Sequence, residues 1–298
     1  MTTETTARPA LKAPRAAAAP KKEGAILNVF SHGFLALWGI MIVLPILWVF
    51  INSLRPSADI EAKPLGLPTH LQWSNFADAW TTAHVGPYFL NTIIVLAMSV
   101  TGTMLLGSMA AYVLARYEFL GNRFFYYMFV AGMLFPVFLA IFPLYKTLDN
   151  AGIKDTFPGL ALSYIAFSLP FTVFFLTSFF RTLPTGVSEA AMIDGAGHYR
   201  VFFQVMLPMA KPGLISITIF NIIGQWNQFL LPLALMSRAP DDKQVMSVGL
   251  ANLVVSAGEQ VDTGALFAGM ALAMIPVLVA YLIFQRQIQA GMTSGALK

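Results

Sequence analysis

The chain has 298 residues, 57% of them hydrophobic and only 11% charged, with 18 Lys and Arg against 14 Asp and Glu and a net charge of +4. A water-soluble domain carries about 25% charged residues, so this chain lacks the polar surface a soluble globule needs. The basic residues form no patch for nucleic acid, and with no cysteine there is no disulfide framework, iron–sulfur cluster or thiol nucleophile.

Residues 1–25 are rich in Ala, Pro, Thr and Lys with almost no large apolar residue, a composition too poor in buriable surface to fold, and they read as a disordered tail. The run from Ile26 to Ile51 is longer than the apolar region of a cleaved signal peptide and predicts a retained first transmembrane helix over 26–54. Cutting the chain at every charged residue leaves six stretches longer than twenty residues, at 24–54, 79–115, 124–145, 156–180, 212–237 and 263–285. A helix needs roughly 20 apolar residues to cross a bilayer, so each stretch predicts one span, the second beginning near Tyr88. An all-α polytopic membrane protein with six transmembrane helices follows.

Between the spans, residues 55–87 read as an external loop whose Trp73, Phe76 and Trp80 lie at headgroup level. The stretch 88–286 forms a five-helix core, interrupted by an external segment at 238–262, and 287–298 is a second tail. Within that segment, Gln244 to Gly258 is apolar but too short to span, which predicts a surface-lying or re-entrant piece. Prolines at 45, 136, 143, 170, 232 and 276 predict kinked spans around a pathway. With the amino terminus inside, 12 of the 18 Lys and Arg fall on cytoplasmic segments and nine of the 14 acids fall outside. The positive-inside rule therefore places both termini in the cytoplasm of a multi-pass inner or plasma membrane protein.

The stretch 184–208 lies in a cytoplasmic connection. Pro184 and Thr185 start a short helix there, with Thr185 as its cap, and Gly195 stops it. A second helix from about His198 to Met206 puts Phe202, Val205 and Met206 on one side, and Leu207-Pro208 ends it. Two small helices broken by glycine make a handle that a soluble partner can push.

This loop resembles the signature of the integral-membrane subunits of ATP-binding-cassette importers: Glu189, Ala190, Ala191, Gly195, then Val205, Leu207 and Pro208. Ala110-Ala111-Tyr112, Pro143-Leu144-Tyr145, Ile193-Asp194-Gly195-Ala196, Trp226-Asn227-Gln228-Phe229 and the tail at Gln285-Arg286 extend the resemblance. They match the carbohydrate-uptake branch that includes the second membrane subunit of the maltose importer. Ser188 and Gln228 stand where members of the branch often carry acids.

The resemblance implies the type I ABC importer permease fold and a coupling helix that docks on an ATPase, with Glu189, Ala190, Ala191, Asp194, Gly195, Phe202, Leu207 and Pro208 carrying it. The partners implied are a sister permease in a heterodimer, two nucleotide-binding ATPase subunits, an extracytoplasmic sugar-binding protein and the surrounding membrane lipid. No Gly-x-x-x-x-Gly-Lys-Ser/Thr loop occurs, so ATP and magnesium belong to the partner ATPase and the chain binds no cofactor of its own.

A sugar path needs amides and stacking rings, for which Asn91, Ser163, Tyr164, Asn221, Gln225, Trp226, Asn227 and Gln228 are candidates. Each has a plain alternative in interhelical hydrogen bonding. Asp241, Asp242, Glu259 and Asp262 are candidates for contact with the binding protein. The histidines show no metal-ligand spacing. The same architecture would serve a polyol or glycerol phosphate, whereas a membrane-embedded enzyme would need clustered ionisable groups in the spans, which are absent.

Overall fold

Prolines and a π-helical turn set the departures from six straight spans in this computed structural model, which describes residues 22–256 and 262–294. Helices α1 (Lys22–Asn52), α4 (Val85–Arg116), α7 (Phe157–Thr182) and α13 (Thr263–Ser294) are long and apolar enough to cross a membrane. Between the first two lie the short helices α2 (Ser57–Ala62) and α3 (Ser74–Thr81). The third apolar stretch is divided into α5 (Asn122–Met133) and α6 (Val137–Asn150), bent by 103°. Proline forces extended backbone on the residue before it and removes a donor, and Pro136 itself lies at φ −67°, ψ 125°.

The fifth stretch is likewise divided. After α8 (Thr185–Ile193), helix α9 (His198–Met209) meets α10 (Lys211–Trp226) at 77°, and α10 stops at Asn227 before the short α11 (Leu230–Leu235). Counting each bent pair as one span gives six. Pro45, Pro143, Pro170 and Pro276 lie inside helices that continue through them.

Residues up to Trp48 belong to one compact unit and those from Val49 on to a second. In that second unit α4 and α7 pack most intimately. Gly107 and Gly102 permit it: a Cβ there would stand 2.7 Å from Thr172 and 2.5 Å from Ile165 of the facing helix. Membrane helices, lacking a hydrophobic drive to associate, gain from such close backbone approach. One apolar cluster, with Tyr112, Leu176, Phe180, Phe202 and Met206, lies toward the end that carries α8. A second, with Leu148, Leu160, Tyr164, Leu231 and Met236, lies toward the opposite end.

The connection at 55–87 is a folded cap. Arg55, 2% exposed, donates to Asn52 Oδ1 at 2.7 Å and to the carbonyls of Asp59 and Lys63 at 2.7 and 2.9 Å, closing α2. Asn75 Nδ2 donates to the carbonyls of Ser53 and Arg55 at 3.0 and 2.8 Å. The apolar piece at 244–258 contains α12 (Met246–Ser256), whose eleven residues reach about 16 Å, half a bilayer. Its Met246, Val248 and Gly249 are buried, and it packs on α4 and α13.

The expected tail at 287–298 begins as a continuation of α13 to Ser294, and the expected tail at 1–25 falls, apart from the start of α1, outside the described residues.

Candidate functional site

The loop between α7 and α10 is built around the end of α8. Gly195 takes φ +83°, its N–H bonds the Met192 carbonyl at 3.0 Å, and the Ala196 N–H bonds the Ala191 carbonyl at 2.9 Å. This paired closure is the Schellman motif, and the left-handed residue at its centre is the reason for glycine. The start differs from expectation: Pro184 precedes the helix, Thr185 is its first residue and caps nothing with its side chain, and its carbonyl accepts from Ser188 Oγ at 2.7 Å. Glu189, Ala190 and Asp194 are exposed, while Ala191 is half-buried against the inner cluster, so the two alanines divide between an outer and an inner surface. Ile193 is 86% exposed beside them.

Helix α9 carries the loop inward. Val201–Met206 is π-helical, and the helix continues through Pro208 to Met209, whereas the sequence predicts a stop at Leu207-Pro208. A π turn widens the backbone ring, and Pro208, which has no N–H to give, sits just where it returns to α. Phe202 is 5% exposed with its ring 5.1 Å from that of Tyr112 on α4, and Met206 is fully buried. Phe202 therefore links the loop to the spans by packing, not by facing a partner. His198 Nδ1 lies 3.0 Å from Tyr117 Oη, and Arg116 donates to the Leu183 carbonyl at 2.6 Å, so the end of α4 is tied to the chain entering α8 and to the first residue of α9.

Beyond the 77° bend, α10 and the turn after it bring amides to a cavity of about 380 Å³ walled by the α5–α6 break, α7 and α10. Asn221, Gln225 and Gln228 line it with Ser168, Phe135, Phe167, Phe171 and Phe220. No charged side chain lines it. Gln225 accepts from Ser99 Oγ at 2.5 Å and donates to Ser168 Oγ at 2.9 Å, so one side chain ties α4, α10 and α7. Asn221 donates to Thr172 Oγ1 at 3.0 Å.

The remaining path candidates lie elsewhere. Asn91 donates to the carbonyls of Asp242 and Gln244 at 2.7 and 2.9 Å, Ser163 bonds its own helix at Gly159, and Tyr164 belongs to an apolar cluster. Trp226 donates to the Ala273 carbonyl at 3.1 Å, and Asn227 turns back to Ile223. Sequence reasoning missed Ser168 and the four phenylalanines. A serine in mid-span usually bonds the carbonyl four residues back, and nothing local distinguishes Ser168 from Ser163, which does so.

At the opposite end, Asp241 and Asp242 are exposed in a 3-10 turn, Asp241 accepting from Gln244 at 3.2 Å. Asp262 caps α13, accepting from the N–H groups of Gly264 and Ala265 at 2.8 and 3.2 Å and from the Ser57 hydroxyl. Glu259 lies outside the described residues. Nearby, Lys154 donates to Tyr145 Oη at 2.8 Å and pairs with Asp149 at 3.0 Å and Asp155 at 3.6 Å. Those hydrogen bonds, Tyr145 first, hold the ammonium above the usual lysine range.

The model of the family described as binding-protein-dependent transport system inner membrane component matches residues 102–294. The chain is 49% identical over 287 residues to a diacetylchitobiose uptake system permease protein of Streptomyces coelicolor, covering 96% of this chain and 93% of the relative. It is 36% identical to a trehalose transport system permease protein of Mycobacterium tuberculosis, covering 86% and 92% respectively. Its fold is similar to that of a bacterial ABC transporter involved in the import of the acidic polysaccharide alginate, with TM-score 0.78, 20% identity, and coverage of 91% of this chain and 99% of that one.

Proposed function

Because the chain belongs to the family of binding-protein-dependent transport system inner membrane components, we propose that it is the permease subunit of an ATP-driven importer that moves a neutral sugar into the cytoplasm. One observation carries this reading: α9 and α10 are successive arms of one bent element. Its first arm follows the Gly195 turn, and its second holds Asn221 and Gln225 at the cavity. A push on α8 is thereby delivered to the amides that face a solute.

The cycle follows from that linkage. Two ATPase subunits, which bind ATP and magnesium, close and draw on the exposed edge of α8 at Glu189, Ala190 and Asp194. The buried Phe202 and Met206 transmit the movement to α4 and α7. The spans rock about the cavity, giving alternating access between this chain and a sister permease. Asp241 and Asp242, exposed at the opposite end, are available to a binding protein that delivers solute, while Asp262 is engaged as a helix cap. Both termini lie in the cytoplasm by the distribution of basic residues.

The cavity's composition supports a neutral carbohydrate over a phosphorylated polyol. Asn and Gln side chains suit hydroxyl groups and phenylalanine rings suit the apolar face of a pyranose, and no charged side chain answers a phosphate. Relatives named for diacetylchitobiose and trehalose make those disaccharides the first to test.

The test is uptake of labelled diacetylchitobiose, trehalose, maltose and glycerol phosphate by a strain deleted for this chain and by the complemented strain. Loss and restoration of uptake for at least one neutral glycan is expected. Loss confined to glycerol phosphate, or ATP hydrolysis by the purified chain alone, overturns the reading.

A further inference from the structure

A second cavity, of about 670 Å³, opens at the end of the bundle that carries α8, where α4 ends, α5 begins and α7 ends. Three arginines line it, Arg116, Arg123 and Arg181, against one acid, Glu118. Among the described residues none of the three pairs with a carboxylate. Arg116 spends one N–H on the Leu183 carbonyl, and its Nε is buried with no hydrogen-bond partner. Arg181 lies over the Tyr126 ring at 5.3 Å, and the Arg123 side chain is exposed. The cavity floor is the start of α5, which no side chain caps. Its Asn122 N–H is taken by the Phe119 carbonyl at 3.1 Å, and the amides of Arg123 and Phe124 that follow, which have no intrahelical carbonyl to bond, add to the positive potential there.

Leu120 of the lining is wholly exposed, and on α5, which begins at the cavity, Phe124 is 69% and Tyr127 63% exposed. Aromatic and apolar side chains beside unpaired arginines, at the ends of three membrane helices, match the boundary between lipid headgroups and acyl chains. We propose that this cavity binds the phosphate headgroup of an anionic phospholipid, with Arg116, Arg123 and Arg181 on the phosphate and Leu120, Phe124 and Tyr127 against the chains. The inference rests on membrane residence and is independent of which solute is carried. Through the Arg116 to Leu183 hydrogen bond the bound lipid would brace the entry to α8, making the coupling loop sensitive to the charge of its leaflet.

The experiment uses the full chain, purified in its membrane complex and offered phosphatidylglycerol or phosphatidylcholine, with retained lipid measured by mass spectrometry. Phosphatidylglycerol should be retained in preference. The variant carrying Arg123→Gln and Arg181→Gln should lose that preference about thirtyfold, given the contribution of each basic residue near an anionic surface, while Lys63→Gln at the opposite end should keep it. Should the double variant not accumulate, Arg123→Gln alone is read, since that side chain is exposed and holds nothing. Equal retention of the two lipids, or an unchanged preference in the arginine variants, overturns the proposal. So does saturable binding of soluble glycerol phosphate without preference between lipids, which would make this a soluble-phosphate site, and so does protection of the arginines only by a partner subunit.

Discussion

Gln225 donates its side-chain Nε2 to Ser168 Oγ at 2.9 Å, joining α10 to α7 across the wall of the uncharged cavity. The same amide accepts from Ser99 of α4 at 2.5 Å. Replacing Gln225 with Leu removes both interhelical bonds, leaving Ser99 only its bond to the Leu96 carbonyl of its own helix at 3.3 Å, while Ser168→Ala breaks one arm only. Interhelical bonds of this kind contribute about 0.6 to 2 kcal/mol each. The expected order of thermal stability in detergent is wild type, then Ser168→Ala, then Gln225→Leu, with uptake falling in the same order. Wild-type uptake by Gln225→Leu would separate the bridge from transport.

Gly195 gives a sharper test of the coupling loop. Its φ of +83° is hostile to most side chains, yet an added Cβ would meet nothing within 4 Å. The strain is about 1 to 2 kcal/mol for most L-residues and smaller for Asn. Gly195→Asn should therefore keep substantial uptake and Gly195→Val lose it, at equal amounts of inserted protein. Equal uptake by the two variants would show that the left-handed turn is irrelevant to coupling.

Gly249 of α12 lies against the Tyr88 ring, where a Cβ would stand 2.2 Å from the nearest ring atom. Gly249→Ala must push the ring aside or lift α12 from α4, an overpacking cost of about 1 to 3 kcal/mol. A lowered melting temperature and less protein extracted in folded form are expected. An unchanged melting curve would mean that α12 is held far more loosely than its buried Met246 and Val248 imply.

The Lys154 cluster makes a pH prediction. Hydrogen bonds that the ammonium donates to Tyr145 and Asp149 raise the lysine above its ordinary value of 10.5, so the stability its charge lends is complete below that value and fades as pH rises through the raised one. Lys154→Met leaves Asp149 and Asp155 without their cation. The gap in melting temperature between wild type and Lys154→Met should stay constant from neutral to moderately alkaline pH and shrink only beyond the ordinary lysine range. A gap that closes near neutrality would rule out this pairing.

Much of the fold was legible because membrane insertion writes itself in composition. Charge-free stretches mark α1, α4, α7 and α13, and a glycine after Ile193 marks the end of α8. The break at Pro136 was not legible as a 103° turn, since both arms are apolar and a proline inside a span commonly only kinks it, and α7 runs on unbroken through Pro170. The continuation of α9 past Pro208 depends on a π turn, which has no local sequence signature.

In the site, Asn221, Gln225 and Gln228 were visible as amides in a span, but which amide faces a cavity is decided by helix rotation. Asn91 and Asn227 carry the same chemistry and are spent on backbone carbonyls. Asp262 could have been read as a helix cap from the Asp262-Thr263-Gly264 run, and its charge drew attention instead.

The interrupted third span has an evolutionary consequence. A helix that stops inside the membrane leaves its last carbonyls, and the next helix its first amides, without intrahelical partners. Gly132, Met133, Phe135 and Val137 bring that stretch of main chain to the cavity wall. If the cavity is the solute path proposed above, a solute would pass this break as well as the side chains around it, and a break in the main chain is kept through most substitutions. On that reading, related chains could drift at these positions and keep a common break, leaving discrimination between one solute and another to Asn221, Gln225 and Gln228.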